Sequence, residues 1–314
     1  MEYRRLGKAG LKVSEIGLGA NNFGGTVDEP DSISIIHQAL DSGINFIDTA
    51  DIYSTWGEPG SSEELVGKAV KGRRNDVIIA TKFGTPMGEG PNERGNSRYH
   101  ILKAIEASLK RLNTDYIDLY FIHQPDPTSH IEETLRTMDG LVRTGKVRYI
   151  GCCNFNGWQL CESLWTSKVN NLESFVVEQS SYSIIDRQVE AELIPCCREY
   201  NIGFVCYRPL AEGFLTGKYQ RGKPLPVGSR ANVFEPMVSH VLTEGNFVKL
   251  EKLQVFATEH GHSVGELAIS WLLSHSWLSS VITAATKPQQ MSANVAAASW
   301  KLTIQELEEI SQLF

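Results

Sequence analysis

Three ionisable side chains follow an apolar run in the stretch Asn45-Phe46-Ile47-Asp48-Thr49-Ala50-Asp51-Ile52-Tyr53. Two further apolar runs also end in a titratable residue: Lys82 closes the run from Val77, and His123 follows the run from Tyr116 to Ile122. If these runs are neighbouring buried strands, their ends bring Asp48, Tyr53, Lys82 and His123 to one rim. Tyrosine, with an ordinary pKa of about 10, is too weak an acid for fast proton donation near neutrality, but an adjacent ammonium stabilises its phenolate and lowers that value. Lys82 can supply the ammonium. A carboxylate at the end of a buried strand is heavily penalised unless paired, so Asp48 reads as the group that keeps Lys82 charged and oriented. The four residues together make a proton-delivery system, with Asp51 left as a loop-structuring carboxylate. Schiff-base chemistry at Lys82 fits poorly, because a paired, charged lysine is a bad nucleophile.

The elements that must position these groups follow from the alternation of short, wholly apolar runs with amphipathic ones. Strands are expected at Ile16 to Gly19, Asn45 to Asp48, Val77 to Lys82, Tyr116 to Ile122, Val147 to Cys152, Ser174 to Val177, Ile202 to Cys206 and Ser280 to Ile282. Helices are expected from Ser32 to Leu40 capped by Asp31, from Glu63 to Val70 capped by Ser61 or Ser62, and from Arg98 to Leu112 capped by Ser97. Others cover Glu132 to Arg143, Trp158 to Thr166, Val189 to Tyr200, Phe247 to His260, Val264 to Ser274 and Gln289 to Ala298. Strands that are apolar throughout are covered on both faces. Eight strand-then-helix units make an α/β fold of the (β/α)8 TIM-barrel type, in which reactive groups sit at the C-terminal ends of the strands. Tyr3 to Leu6 and Lys12 to Ser14, around Gly7 and Gly10, suggest an N-terminal β-hairpin that plugs one end of the barrel. Leu302 to Phe314 reads as an extra C-terminal helix, opened by a Thr303/Glu306 capping box. An open doubly wound sheet would carry a glycine-rich phosphate turn after its first strand, and Gly17-Leu18-Gly19-Ala20-Asn21-Asn22-Phe23 lacks the third glycine. The connection from Tyr207 to Asn246 is long, with Gly, Pro and Lys and no long helix; such loops are usually functional.

The 314 residues fit a single barrel domain spanning 1–314, and 41% hydrophobic with 21% charged residues is the make-up of a globular protein. A net charge of −7 argues against nonspecific binding to nucleic acid or to an anionic membrane. No basic-then-apolar segment opens the chain, so a cytoplasmic location is expected, with the six cysteines reduced. Neither Cys152-Cys153 nor Cys196-Cys197 has metal-ligand spacing, and no metal site is expected. The run Lys68 to Arg74 reads as a solvated helix end, and Glu89 to Arg98 as a rim loop. Trp56 either lines a substrate pocket or merely covers it.

Several spaced motifs then carry a family resemblance over nearly the whole chain: Gly43-x-Asn45-x-x-Asp48-Thr49-Ala50-x-x-Tyr53, Thr81-Lys82, and Asp118-Leu119-Tyr120-x-Ile122-His123. To these are added Gly145-Lys146-Val147-Arg148-Tyr149-Ile150-Gly151-x-x-Asn154-Phe155, and Tyr207-Arg208-Pro209-Leu210-Ala211-x-Gly213-x-Leu215-Thr216-Gly217-Lys218-Tyr219. The set resembles the aldo-keto reductase superfamily. The resemblance implies an NADP(H)-dependent carbonyl reductase or alcohol dehydrogenase acting on a small-molecule carbonyl. It makes Tyr53 the general acid, tuned by Lys82 and Asp48, and gives His123 the orienting of the carbonyl oxygen.

By the same resemblance Asn154 and Gln179 would hold the nicotinamide carboxamide and Tyr207 would stack on its ring. Arg208, Leu210, Gly213, Thr216, Lys218 and Arg230 would follow the pyrophosphate and ribose, and Thr286, Lys287, Gln290 and Asn294 the adenosine end. Gly19, Ala20, Asn21, Cys153, Pro209 and Ala211 complete the implied cofactor set. Cys153 stands where many members have serine, Thr283-Ala284 replaces the usual Pro-Gly or Pro-Lys, and Ala293 replaces a common glutamate. These departures leave NADP(H) against NAD(H) open, with Lys218 and Lys287 favouring the phosphorylated ribose. Glu93-Arg94-Gly95-x-Ser97-Arg98-x-His100-Ile101 and Pro125-Asp126-Pro127 resemble the potassium-channel β-subunit branch, implying a nucleotide-sensing regulatory subunit as the alternative. Taken singly, Asp48 with Lys82 could be a structural ion pair, His123 a satisfied core histidine and Tyr207 plain packing. Substrate, physiological direction and oligomeric state are open at this level.

Overall fold

The computed structural model describes residues 1–54, 58–233 and 235–314. Trp56 therefore lies outside the described residues.

A short antiparallel hairpin, β1 (Tyr3–Arg5) and β2 (Lys12–Ser14), leads into β3 (Ile16–Gly19) and α1 (Glu29–Asp41). Then follow β4 (Phe46–Asp48), α2 (Ser61–Ala69), β5 (Ile78–Phe83), α3 (Arg98–Leu112), β6 (Ile117–Ile122), α4 (Ile131–Arg143), β7 (Val147–Cys153), α5 (Gly157–Asn170), β8 (Val177–Ser181) and α6 (Leu193–Glu199). After β9 (Gly203–Tyr207) a 3-10 turn at Ala211–Thr216 and two short helices, α7 (Arg230–Val233) and α8 (Glu235–Val238), fill the long connection to α9 (Glu244–Glu259) and α10 (Val264–Leu273). The chain ends with β10 (Leu278–Thr283), α11 (Pro288–Ala297) and α12 (Ile304–Ser311).

Strands β3 to β10 close into a parallel barrel in chain order, with β10 pairing back onto β3. This is the (β/α)8 barrel that the alternation of runs implies, with its hairpin and extra helix. The barrel interior is filled by Phe46, Ala80, Leu119, Phe121, Val177, Val205 and Ile282, and Leu6, Ala9 and Val13 of the hairpin join the same apolar cluster. The hairpin thus seals one end, as its position suggested. Burying each large apolar side chain here contributes about 1.5–3 kcal/mol. The seal is tight at Gly7, whose φ is +53° and where a Cβ would lie 2.4 Å from both the Asn201 carbonyl oxygen and the Gly203 nitrogen. Gly151 on β7 leaves room for Phe121 in the same way, since a Cβ there would sit 2.6 Å from its ring.

Several element ends differ from the sequence reading. Helix α1 starts at Glu29, capped by the Asp28 side chain accepting from the Asp31 amide, because Pro30 is tolerated in a first turn. Helix α2 is preceded by Gly60 in the left-handed region, with no side-chain cap. Ser62 instead donates to the Ala20 carbonyl and meets Thr49, tying α2 to the rim. The expected helix from Val189 to Tyr200 is a 3-10 turn at Gln188–Glu190 followed by the shorter α6. The largest shift is at β8, expected over Ser174 to Val177 but running from Val177 to Ser181. Apolarity stops at Val177, whereas the barrel pairs continue through Glu178, Gln179, Ser180 and Ser181. Of these, Glu178, Gln179 and Ser180 are buried: Gln179 donates inward to Asp48, and Ser180 donates to Glu178.

Candidate active site

Asp48 ends β4, Lys82 is the penultimate residue of β5, and parallel pairing holds the two strands in register with Phe46 opposite Ile78 and Asp48 opposite Ala80. The Lys82 ammonium donates to both Asp48 carboxylate oxygens at 2.7 Å, to the Thr49 carbonyl at 2.9 Å and to the Tyr53 hydroxyl oxygen at 3.1 Å. Asp48 and Lys82 are 2% and 1% exposed, so water does not screen this pair. Burial alone would lower the Lys82 pKa, but Asp48 and then Tyr53 outweigh it and hold the ammonium charged. Because an ammonium only donates, Tyr53 accepts from Lys82 and keeps its own O–H for another acceptor.

The loop that carries Tyr53 is laced onto β5. The Thr49 amide donates to the Ala80 carbonyl, the Asp51 amide to the Lys82 carbonyl, and Thr49 meets Ser62 at 2.9 Å. Ser54, directly after Tyr53, has φ +89°, a conformation that costs a residue with a Cβ of order 1–3 kcal/mol. The Tyr53 phenol is pushed up to about 12: burial raises it, Lys82 pulls it down, and Asp48 raises it again. The expectation that Lys82 would bring Tyr53 below its ordinary value is therefore corrected. Desolvation, with the Asp48 carboxylate behind the lysine, wins over the single ammonium.

His123 follows β6, its amide bonded to the Phe83 carbonyl at 2.8 Å and its ring edge-on to Tyr53 with centroids 5.7 Å apart. Burial, with a smaller contribution from Lys82, lowers its pKa to about 3, so the imidazole is neutral. Its Nδ1 is buried without a partner. A stranded N–H there would cost more than a stranded lone pair, which places the proton on Nε2 and makes that nitrogen the donor.

Around this group lie Gln179, whose amide donates to Asp48 at 2.9 Å, and Cys153, whose thiol points at the Gln179 oxygen at 3.8 Å. Asn154, at φ +62°, donates to the His123 carbonyl at 3.0 Å and accepts from the Tyr207 hydroxyl at 2.7 Å. Eight side chains carried by six consecutive strands, β4 to β9, and the loops after them thus meet at one rim. A family model, the aldo/keto reductase family, matches residues 15–314. The chain belongs to the aldo/keto reductase family.

Among its relatives are a probable voltage-gated potassium channel subunit beta from Oryza sativa subsp. japonica, 36% identical over 95% of this chain and 91% of that protein. Aldo-keto reductase YhdN of Bacillus subtilis is 35% identical over 100% of this chain and 93% of its own length. L-glyceraldehyde 3-phosphate reductase of Escherichia coli K12 is 32% identical over 99% and 92%.

On this aldo/keto reductase barrel the remaining residues singled out from the sequence fall into three groups. Gly19 pairs with Asp48, and the Ala20 amide donates to the Asp48 carbonyl, so the β3 loop with Asn21 borders the tetrad. The connection after β9 forms a strap: Arg208 and Arg230 both pair with the carboxylate of Glu212, and Arg230 also reaches Asn22 at 3.2 Å. Ala211, Glu212 and Gly213 follow one another in the left-handed region, and the Thr216 hydroxyl bonds the Gly213 carbonyl at 2.8 Å. Pro209 is buried and Leu210 half-buried in the same strap, while Lys218 is exposed. The third group sits beside β10: Thr286 donates to the Gln290 side chain from its amide at 2.7 Å, and Asn294 reaches the Ala284 carbonyl at 3.4 Å. Lys287 is exposed at the start of α11.

Glu212 and Asn22 escaped the sequence reading. The signal for Glu212 was one acid standing between two arginines assigned to phosphate, which a charge count along that segment would have caught. Among the described residues no helix is long and apolar enough to cross a membrane.

Proposed function

We propose that this aldo/keto reductase is an NADP(H)-dependent enzyme that reduces an aldehyde or ketone to an alcohol, and that it works in the cytoplasm. The observation that carries the reading is the Lys82 ammonium, 2.7 Å from both Asp48 oxygens and 3.1 Å from the Tyr53 hydroxyl, beside a neutral His123. The residues for the nucleotide fit by donor chemistry. Arg208, Lys218, Arg230 and Lys287 are four cations around the rim, opposed in the strap by one acid, Glu212, which suits a polyanion. Arg208, Lys218 and Arg230 would hold its phosphates, Lys287 with Thr286, Gln290 and Asn294 its adenosine end, and Asn154, Gln179 and Tyr207 its nicotinamide. When bound, the nicotinamide supplies the hydride.

The chain's own residues then do the rest. Tyr53 and Nε2 of His123 donate hydrogen bonds to the substrate carbonyl oxygen, polarising it and fixing its orientation. As negative charge develops on that oxygen, Tyr53 gives up its proton, and Lys82 at 3.1 Å stabilises the phenolate left behind. Asp48 keeps Lys82 charged throughout.

The test is loss of NADPH absorbance against a panel of aldehydes and ketones, with Tyr53→Phe as the control. If no carbonyl turns over faster with the wild type than with Tyr53→Phe, the enzymatic reading is wrong. The 36% identity with a probable potassium-channel β subunit supports a second reading, a nucleotide-sensing regulatory subunit. Co-purification of the chain with a membrane channel, its partner lost when the nucleotide is stripped, is the outcome that reading requires.

A further inference from the structure

Behind the catalytic loop, between the barrel and its helices, lies a second buried set of ionisable groups that the proposed reaction does not use. Asp51 is 1% exposed, Glu63 and Tyr120 are fully buried. Glu63 takes the Arg111 guanidinium at 2.6 Å and the Thr81 hydroxyl at 2.6 Å, so the one nearby cation is already spent. Asp51 receives a long bond, 3.4 Å, from the Thr85 hydroxyl and a backbone bond from Ile52; among the described residues its Oδ2 has no partner, and neither has the Tyr120 hydroxyl. Among the described residues the charges that Asp51 feels are Glu63 of α2, which opposes its ionisation, and Arg111 of α3, which favours it. Tyr120 of β6 and Thr85 after β5 also interact with it, and Asp51 is the charge that Tyr120 feels most. Burial opposes a charge on Asp51, and the neighbouring Glu63 adds to that opposition.

The position of Asp51 makes that proton consequential. Its amide is bonded to the carbonyl of Lys82, and it lies two residues before Tyr53, so it braces the loop at a point between the two catalytic side chains. We propose that Asp51 is a positioning residue for Tyr53: as a neutral acid it packs the 49–54 loop against β5 and β6, and its ionisation loosens that loop. The inference rests on the reading of Tyr53 as the proton donor. Burial, with Glu63 next, raises Asp51 to about 7, so the change falls near neutrality. Tyr53 at about 12 and His123 at about 3 titrate far from it.

The experiment has two readouts on the wild type and on Asp51→Asn, whose amide mimics the neutral acid in shape. Amide hydrogen exchange, corrected for intrinsic pH dependence, is followed over peptides covering 49–54 at about pH 6 and pH 8.5. Carbonyl reduction by NADPH is measured over the same range. In the wild type, protection of the loop and kcat are both expected to fall at least about threefold as pH rises through neutrality, and Asp51→Asn removes both declines. Loop protection in the wild type that is flat with pH overturns the proposal without any variant, and so does a decline that persists unchanged in Asp51→Asn. A pH-dependent loop in a chain that turns over no carbonyl would leave the brace standing and defeat the reductase reading instead.

Discussion

Replacing Lys82 by methionine is the sharpest probe of the buried charge pair. The substitution removes the ammonium that sits 2.7 Å from both Asp48 oxygens and leaves a carboxylate 2% exposed, with Gln179 at 2.9 Å as its remaining side-chain donor. Breaking such a pair from one side costs about 3–5 kcal/mol, because an uncompensated charge stays behind in a medium that does not solvate it. A domain stable by about 5–15 kcal/mol survives that loss, so Lys82→Met is expected to fold with a lowered urea midpoint. Asp48→Asn strands the ammonium instead and costs a similar amount. In the double variant neither charge remains, and its cost falls short of the sum of the singles by about 2–3 kcal/mol. Activity follows a different rule: without the ammonium the Tyr53 phenolate has no stabiliser, and reduction drops by about 10²–10⁴ in both variants that lack Lys82. The assay is urea unfolding followed by tryptophan fluorescence at neutral pH for the four proteins, with NADPH turnover alongside. Additivity within about 0.5 kcal/mol would mean that Asp48 and Lys82 do not act as a pair, and the proton-delivery scheme built on them would fall.

Tyr53→Phe removes the donor while keeping the ring against His123, and is expected to abolish reduction with an unfolding midpoint within about 1 kcal/mol of wild type; substantial residual turnover assigns the proton to another group. His123 and His275 are held neutral by burial, at about 3 and about 4. The unfolded chain takes up protons below about 6.5 that these rings refuse, so each contributes a loss of stability as pH falls, up to about 1.4 kcal/mol per pH unit. His123→Gln should flatten that part of the acid limb, and an unchanged limb contradicts the burial argument. Asp51 has the opposite sign: its folded value, about 7, exceeds its unfolded one, so stability falls as pH rises from about 4 to 7. Asp51→Asn should gain on the wild type by a few kcal/mol at most across that window, measured as the difference in urea midpoint at pH 5 and 7.5. Gly7→Ala puts a Cβ 2.4 Å from backbone atoms at φ +53°, and is expected to lower stability by about 2 kcal/mol or more with the tetrad intact; a neutral effect would show that the hairpin seal gives way.

The candidate site was legible from the chain because three of its four residues are tied to the ends of apolar runs. Asp48 follows Phe46-Ile47, Lys82 follows Ile78-Ile79, and His123 follows Phe121-Ile122, and a barrel can only present such residues at one rim. The same rule misplaced β8, because a run that turns polar at Glu178 looks finished from sequence alone. Gln179 stays in the sheet because Asp48, far away in the chain, accepts from its amide, which local patterning cannot anticipate.

What the sequence by itself determined is therefore the alternation of elements, the barrel they make, and the identity of the groups delivered to its rim, since these depend on periodicity and on which side chains tolerate burial. The protonation of those groups was decided only by tertiary structure. Whether Lys82 or desolvation governs Tyr53, and how strongly Glu63 opposes a charge on Asp51, depends on distances among residues apart in the chain. Electrostatic energies in a water-poor interior change steeply with those distances. The outcome was a tyrosine held up rather than pulled down, and Asp51, the loop carboxylate beside it, with a proton to keep.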